Sequence, residues 1–329
     1  MGLLLTRRAT LAAVIGLGLA TALPALAQDK PTIRFSDVTQ ADAPRSKAVS
    51  DIFAKEIEGD FTFEAHFGGT LMKQGTELVA LQRGNLDMAL LPPSDLANQF
   101  PGFGILSAAY LVRDAAHMKA IFESDVGEDL RRLARENLNV VILSPAYYGT
   151  RHVNLRGDKK INTPADLAGV KLRMPGGEAW QFLGESIGAN PVPMDYAEVY
   201  TGLQTGAIDA QDNPLPNTRQ MKFYEVTDQI VLTGHNVGFG LFLMRADLYD
   251  SLTPDLQAKI RDAAAKAFAW SDAEYLRQEV ELVDFMKKEG LEVYTPDVDA
   301  FRTYSNEKYL ASPLSKDWPE GMLERINAL

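Results

Sequence analysis

A seven-residue phrase occurs twice in this chain, as LQRGNLD at 81–87 and as LQTGAID at 203–209, in the same L-Q-x-G-x-x-D frame. Each copy ends a helical pattern at a glycine, Gly84 or Gly206, and glycine adopts the left-handed conformation of a helix C-cap without steric cost. An apolar strand pattern follows and stops at a proline. The repeat therefore predicts one type of helix-to-strand corner, used at two places in the fold. Chance convergence on a common corner is the alternative.

Strand and helix patterns alternate around both copies. TIRFSDV reads as a strand, residues 43–57 as a helix, and FTFEAHF as a second strand with period-two alternation. A charged helical pattern covers 114–137, an apolar strand covers 140–146, and another strand covers 237–248. This alternation predicts an α/β fold, and 329 residues favour two domains over one. Because ligands bind beyond the carboxyl ends of strands in open α/β sheets, two facing domains would share one cleft.

The first residues have the pattern of an export signal. Arg7 and Arg8 precede an uncharged apolar run, and Ala25-Leu26-Ala27 places small residues at a cleavage site. We predict a signal peptide over 1–27, cleaved after Ala27, and a soluble mature chain. A transmembrane anchor is the alternative, which the short run and its end at Pro24 disfavour. The arginine pair resembles a twin-arginine signal only loosely, so the export route stays open.

Composition excludes several classes of protein. The formal net charge of −11 and the lack of a basic stripe argue against a nucleic-acid partner. The chain has no cysteine, which excludes disulfides, thiolate catalysis and cysteine-based zinc sites. Its four histidines lack the i, i+4 spacing of a helical metal site, and no nucleophile elbow, Walker loop or dinucleotide fingerprint occurs. We therefore predict no catalytic residues, no metal site and no cofactor.

Three segments carry a resemblance to a known family: GGTLMKQGTELVALQRGNLDMAL, TPADLAGVKLRMP and VPMDYAEVYTGLQTGAIDAQDNP. Together they resemble the solute-binding proteins of tripartite ATP-independent periplasmic (TRAP) transporters, the DctP-like group, from about residue 31 to about residue 325. The resemblance implies a periplasmic-binding-protein-like fold, with two α/β domains around a ligand cleft and a long helix bracing both. The helical pattern over 253–290 is suited to that helix. We place domain I at 28–148 plus 239–278 and domain II at 149–238 plus 279–329.

Arg173 is the leading candidate for ligand binding. It stands alone on an apolar strand, VKLRMP, just before a diglycine, and a buried guanidinium without a partner is costly. The resemblance implies that its partner is a ligand carboxylate, held by two parallel hydrogen bonds that lysine could not reproduce. A salt bridge to an acid in the core is the alternative.

The resemblance extends to four further positions. An arginine at Arg151 is expected to meet the ligand, although a loop or interdomain arginine is the alternative. Asn213 is expected to complete carboxylate binding, because its amide can both donate and accept. Tyr196 matches an aromatic that packs against the ligand, with ordinary core burial as the alternative, and Gln74 is a polar candidate from the first domain. The neighbouring Asp209 and Asp212 are expected to be structural.

The lining contributed by the first domain is expected to be poor in polar groups. The approximate register of the resemblance places Val38 and Pro92-Pro93 in the lining, and Gly176 where a polar residue is common. This predicts a ligand with fewer hydroxyls than a nine-carbon sugar acid. Trp180 and Phe239 are possible apolar lining, with core packing as their expected role.

These features predict capture without chemistry. We expect a periplasmic protein, monomeric, that binds a small organic acid and delivers it to the small and large membrane subunits of a TRAP transporter. A sensory binding module for an organic acid is one alternative. An exported enzyme is a weaker one, because the sequence has no convincing set of catalytic groups.

Overall fold

Nine strands and thirteen α-helices are found in the part of the chain that the structure, a computed structural model, describes, residues 30–329. The predicted signal peptide and its cleavage site lie outside the described residues. The strands are β1 (Thr32–Ser36), β2 (Thr62–His66), β3 (Met88–Leu91), β4 (Val140–Leu155), β5 (Lys171–Met174), β6 (Asn190–Pro193), β7 (Ala210–Pro214), β8 (Gln229–Arg245) and β9 (Glu292–Tyr294).

The helices lie between and after the strands. They are α1 (Pro44–Lys47), α2 (Ala54–Ile57), α3 (Glu77–Gln82), α4 (Pro93–Ala97), α5 (Ala115–Glu123), α6 (Asp125–Leu138), α7 (Glu178–Ser186), α8 (Val199–Thr205), α9 (Leu215–Gln220), α10 (Ala246–Ser251), α11 (Pro254–Lys288), α12 (Val298–Ala311) and α13 (Met322–Asn327). A π-helical segment, Ala48–Phe53, joins α1 to α2. Among the described residues, no helix combines the length and the apolar character needed to span a bilayer.

The strands form one mixed sheet in the order β2-β1-β3-β8-β4-β7-β5-β6, with β9 beside β8. Strands β4 and β8 pair antiparallel along almost their whole length. Strand β3 pairs with the carboxyl-terminal part of β8, whereas β7 pairs with the carboxyl-terminal part of β4. The two long strands therefore run through both halves of the sheet, and the other strands of each half lie parallel to one another.

Both long strands differ from the sequence prediction. Strand β4 continues from Val140 to Leu155 instead of stopping at 146, so Arg151 lies within the strand. Strand β8 begins at Gln229 and ends at Arg245, where α10 replaces the predicted last residues. The pairing of β4 with β8 shifts register at three places, including between Tyr147 and Gly149, which lets the strand continue past residues that read as strand breakers.

The two copies of the repeated phrase form the same corner. Gly84 follows α3 with a φ of 72°, and Gly206 follows α8 with a φ of 77°, both in the left-handed region that the sequence predicts. The aspartate of each copy then bonds to a neighbouring parallel strand. Asp87 accepts the Arg34 N–H of β1 at 2.8 Å, and Asp209 accepts the Lys171 N–H of β5 at 2.9 Å.

Helix α11 confirms the prediction of one long bracing helix. It has 35 residues, and the Thr253 hydroxyl caps its amino terminus. Its first half packs Phe268 against Phe242 of β8, with 4.9 Å between the ring centroids. Its last turns place Met286 in a separate apolar cluster with Ile230 at the other end of β8. The helix thus contacts both halves of the sheet.

Carboxylates in the middle of α11 hold β4 where its pairing with β8 is irregular. Asp272 accepts the Tyr147 N–H at 2.9 Å, and Glu279 accepts the Thr150 N–H. These bonds satisfy backbone donors that a regular ladder would otherwise pair. They fix the helix against the two long strands.

The predicted helix over 114–137 is two helices in the structure. Ser124 has an extended backbone between α5 and α6, and its hydroxyl accepts the Val126 N–H at 3.2 Å. A serine that caps the next helix ends the first one, because the cap position has non-helical dihedrals.

Candidate functional site

A cavity lies at the carboxyl ends of β1, β3, β5 and β7. This is where open α/β sheets bind their ligands. The lining combines arginines, carboxyls, amides and aromatic rings with a few apolar groups. It comprises Val38, Thr39, Arg45, Gln74, Glu77, Leu90, Leu91, Pro92, Asp95, Tyr148, Arg151, Arg173, Pro175, Trp180, Tyr196, Asn213 and Asn217.

Arg173 borders this cavity as a buried cation. Its side chain stands on β5 and is 1% exposed. Its Nε donates to the Met194 carbonyl at 2.8 Å, and its Nη2 donates to Gln74 Oε1 at 3.0 Å. No carboxylate among residues 30–329 forms an ion pair with it, so the alternative of a core salt bridge does not describe this arginine. The Nη1 donors remain for a ligand.

Burial weakens the hold of Arg173 on its proton without removing the charge. Burial lowers the pKa of Arg173 to about 10, and the charge of Asp212 opposes that effect. The guanidinium is therefore still cationic at neutral pH. A buried cation of this kind is strongly unfavourable unless an anion accompanies it.

Arg151 borders the same cavity, but it already has a counterion. From its place on β4 it donates to Asp212 through Nε at 2.7 Å and through Nη2 at 2.9 Å. Its guanidinium also stacks 4.9 Å from the Trp180 ring centroid. His235 contacts Asp212 at 3.1 Å, so the carboxylate is enclosed on both sides. Burial alone would raise the pKa of Asp212, but Arg151 and His235 hold it below its ordinary value.

The other predicted polar residues surround Arg173. Gln74 Oε1 accepts both the Arg173 bond and the Tyr196 N–H at 2.8 Å, so it joins the start of α3 to the segment after β6. The Tyr196 hydroxyl accepts from Asn217 Nδ2 at 3.1 Å. Asn213 donates to Gln211 at 2.6 Å and keeps one amide N–H and its carbonyl for other partners.

Only some of the residues predicted to form the apolar lining border the cavity. Val38 and Pro92 border the cavity. Gly176 is exposed and is not part of the lining, because Pro175 is the residue of that turn which reaches the cavity. Phe239, for which core packing was expected, is buried beside Phe122.

Two buried carboxyls, Glu77 and Asp95, line the cavity where the sequence predicted few polar groups. Glu77 is 2% exposed, and its Oε2 has no hydrogen-bond partner among the described residues. Burial raises its pKa to about 8, and the charges of Asp95 and Asp37 add to the effect. Burial raises the pKa of Asp95 to about 6, although the Trp180 indole N–H, 2.9 Å from its carboxylate, lowers it. The expectation of a weakly polar first-domain lining was therefore wrong.

Arg45 is a third arginine of the lining that the sequence did not reveal. It follows Pro44 in the first turn of α1, and it donates to Asp37 through Nε at 2.9 Å and Nη2 at 2.7 Å. The guanidinium lies 4.7 Å from the centroid of the Tyr148 ring. The sequence did offer one signal for this site. Arg45 stands beside Pro44 at a helix start, eight residues after Asp37, which follows a strand.

Comparison with known proteins identifies the family. Residues 35–313 match the family described as bacterial extracellular solute-binding protein, family 7, or DctP. The chain belongs to the DctP family.

Solved and curated relatives of this DctP protein are periplasmic binding proteins. A TRAP periplasmic solute-binding protein from Roseobacter denitrificans, solved with 3-deoxy-D-manno-oct-2-ulosonic acid (KDO), has a TM-score of 0.90 and 42% identity, covering 91% of this chain and 99% of that one. The sialic acid-binding periplasmic protein SiaP of Vibrio cholerae is 30% identical over 257 residues, 78% of this chain and 79% of SiaP. The 2,3-diketo-L-gulonate-binding protein YiaO of Escherichia coli is 28% identical over 295 residues, 88% of this chain and 89% of YiaO.

The chemistry available in this DctP-family cavity is that of recognition. Three arginines and three amides, those of Gln74, Asn213 and Asn217, offer hydrogen-bond donors. Two carboxyls and Asn217 Oδ1 offer acceptors. Within residues 30–329 there is no group of three or more histidine, aspartate or glutamate side chains arranged for a metal ion. The described lining is thus equipped to hold an anion that also carries hydroxyl groups.

Proposed function

We propose that this DctP-family protein is the periplasmic solute-binding subunit of a TRAP transporter and that its cavity captures a sugar acid. The observation that carries the proposal is Arg173, a buried arginine at the cavity wall without an ion pair among the described residues. One charge-assisted hydrogen bond contributes about 1.5 to 3 kcal/mol. Two such bonds would supply a large part of the roughly 8 kcal/mol that corresponds to micromolar affinity.

The free donors define how the carboxylate would bind. Because Nε of Arg173 donates to the Met194 carbonyl, the ligand would accept from the outer pair of nitrogens, Nη1 and Nη2. Arg151 would add its Nη1, since Asp212 occupies its other two nitrogens. Asn213 would contribute its remaining amide N–H.

The acceptor groups of the lining favour a ligand with hydroxyl groups. Glu77, Asp95 and Asn217 present acceptor oxygens to the cavity, and two of these residues have an oxygen without a partner among the described residues. Ligand hydroxyls that donate to these oxygens would remove the cost of leaving them unsatisfied. Tyr196 offers a ring face to the carbon skeleton.

KDO is the first ligand to test. It is bound in the Roseobacter denitrificans structure, and that protein is 42% identical to this chain. We propose KDO, or a sugar acid of similar length, as the natural ligand. It combines one carboxylate with several hydroxyls, which matches a lining that offers an unpaired guanidinium together with several acceptor oxygens.

Capture would work by closure of two domains. We propose domain I as 28–148 plus 239–278 and domain II as 149–238 plus 279–329. Bonds from Gln74 to Arg173, from Trp180 to Asp95 and from Gln220 to Asp42 span the proposed division and support a closed conformation. The liganded, closed protein would be monomeric and would dock on the small and large membrane subunits of the transporter.

Thermal unfolding with candidate ligands tests the proposal. A ligand present at 100 times its Kd stabilises the folded protein by about 2.7 kcal/mol, so KDO should raise the Tm. A panel of galactonate, galacturonate and succinate would rank sugar acids against a dicarboxylate without hydroxyls. Recovery of unchanged KDO after incubation is expected, and appearance of a product would favour the enzyme alternative instead.

A further inference from the structure

Only one of the three arginines that line the cavity lacks an ion pair within the described residues. Asp37 accepts two hydrogen bonds from Arg45, and Asp212 accepts two from Arg151. Each of these guanidinium groups is therefore neutralised by a buried carboxylate, with exposed side-chain fractions of 8% or less. Arg173 is left as the single unpaired positive charge of the described lining.

Two carboxyls of the described lining form no ion pair, although the charge of Arg173 acts on Asp95 and lowers its pKa. Neither Glu77 nor Asp95 forms an ion pair with a residue of 30–329, and both are buried. Asp95 is held by the Trp180 indole, a neutral donor. Because its pKa of about 6 lies below neutral pH, Asp95 is mainly ionised at pH 7. Glu77 adds negative charge only when the pH rises towards its pKa of about 8.

We propose that this distribution of charge makes the site selective for ligands with one negative charge, and that Asp95, joined by Glu77 in alkaline solution, excludes dianionic acids. The inference rests on the proposed function, because it assumes that Arg173 receives the ligand carboxylate. A first carboxylate meets an unpaired guanidinium. A second carboxylate on the same ligand finds the other two arginines already neutralised, and it shares the cavity with the charge of Asp95.

The physical basis is the low effective dielectric constant of a closed cavity. Like charges separated by a few ångströms repel strongly there, and water cannot enter to screen them. A terminal hydroxyl at the same place instead donates a hydrogen bond to a carboxylate oxygen. Selectivity against a dianion thus arises from repulsion by Asp95, added to attraction by Arg173.

A matched pair of ligands tests the inference at pH 7. Galactonate and galactarate have the same carbon chain and differ in one terminal group, a hydroxymethyl in the first and a carboxylate in the second. Calorimetry should give an affinity at least 30-fold higher for galactonate, equivalent to about 2 kcal/mol. KDO and its 8-phosphate ester form a second pair that should show the same preference.

Variants of Asp95 and Glu77 distinguish selectivity by charge from selectivity by shape. Asp95→Asn should reduce the preference for the monoanion at least threefold at pH 7. Asp95→Asn with Glu77→Gln should reduce it further than Asp95→Asn alone at pH 9, where Glu77 is ionised in the wild type. Asp299→Asn, which removes an exposed carboxylate on α12 outside the lining, is the matched control and should leave the preference unchanged. Asp37→Asn frees Arg45 from its counterion and should increase the affinity for the dianion.

Equal or tighter binding of galactarate and of KDO 8-phosphate by the wild-type protein would overturn the inference while leaving the proposed function intact. A preference that Asp95→Asn and the double variant do not change would also overturn it, since shape alone would then explain the selectivity. Failure of every sugar acid to bind would contradict the proposed function, and the inference with it.

Discussion

Substitution of Glu77 by glutamine should have little effect on stability at low pH and should stabilise the protein increasingly as the pH rises. Glu77 is buried, and burial together with the nearby acids raises its pKa from 4.5 to about 8. Below pH 4.5 the carboxyl is neutral in both the folded and the unfolded chain, so the variant should differ little from the wild type. Between pH 4.5 and about 8 the folded protein binds more protons than the unfolded one, and the free energy of unfolding falls as the pH rises.

The size of the effect follows from the pKa difference. A rise from 4.5 to about 8, at about 1.4 kcal/mol per unit, sets an upper limit on the order of 5 kcal/mol above pH 8. Glutamine has the same shape and no charge, so Glu77→Gln should be more stable than the wild type at pH 9 by a few kcal/mol.

Urea unfolding at pH 4.5, 7 and 9 measures this difference. Glu178→Gln, which changes an exposed glutamate in the first turn of α7, is the control for the amide substitution. A constant difference in the free energy of unfolding between Glu77→Gln and the wild type across the three pH values would refute the reasoning. A glutamate with the same pKa in the folded and unfolded chain gives no pH-dependent difference.

Three further substitutions test separate parts of the structure. Asp212→Asn leaves Arg151 buried without its counterion and should lower the free energy of unfolding, measured with urea, by about 3 to 5 kcal/mol. A decrease of less than about 1 kcal/mol would contradict a buried ion pair between the two residues. Gly206→Ala forces a side chain into a left-handed conformation, with φ of 77°, and should cost about 1 to 2 kcal/mol, seen as a lower Tm. Asp166→Ala removes the carboxylate that accepts the Thr163 N–H at 2.7 Å and should cost about 1 kcal/mol by the same measurement, whereas an unchanged Tm would exclude a capping role.

The features predicted correctly from the sequence depend on local chemistry. The two corners were predictable because a helix that ends in glycine and continues into an apolar strand has few other conformations. The short 3-10 helix Pro164–Leu167 was predictable for a similar reason, since Pro164 suits its first position and Thr163 with Asp166 forms its capping box. The long helix α11 was predictable because its pattern continues without a breaker from Thr253 onward.

The lengths of β4 and β8 depend on tertiary contacts and were not predictable. Pro145 and Gly149 look like the end of a strand in the sequence. In the folded chain β4 continues through them, because bulges in its pairing with β8 absorb the irregularity and Asp272 of α11 accepts the Tyr147 N–H. Ser124 was missed for the opposite reason, since a polar residue within a charged helical pattern does not look like a boundary.

The residues of the candidate site also include some that were predictable from the sequence and some that were not. Arg173, Arg151 and Asn213 stand on the strands β5, β4 and β7. Strand β7 lies between the other two, parallel to β5 and antiparallel to β4, and this pairing brings the three residues together. Arg45 and Glu77 come from the first turns of α1 and α3, and only the packing of those helices turns them towards the cavity. Side chains placed by helix packing leave no periodic signal in the sequence.

Titration calorimetry with KDO and variants of Arg173 tests most directly whether the cavity binds an acid through this residue. We expect the wild-type protein to bind KDO with micromolar or tighter affinity. Arg173→Ala should weaken binding at least tenfold with an unchanged circular dichroism spectrum, and Arg173→Lys should also weaken it, because lysine lacks the paired donors of the guanidinium. KDO affinity that is the same in the wild type and in both variants would contradict the proposed role of Arg173.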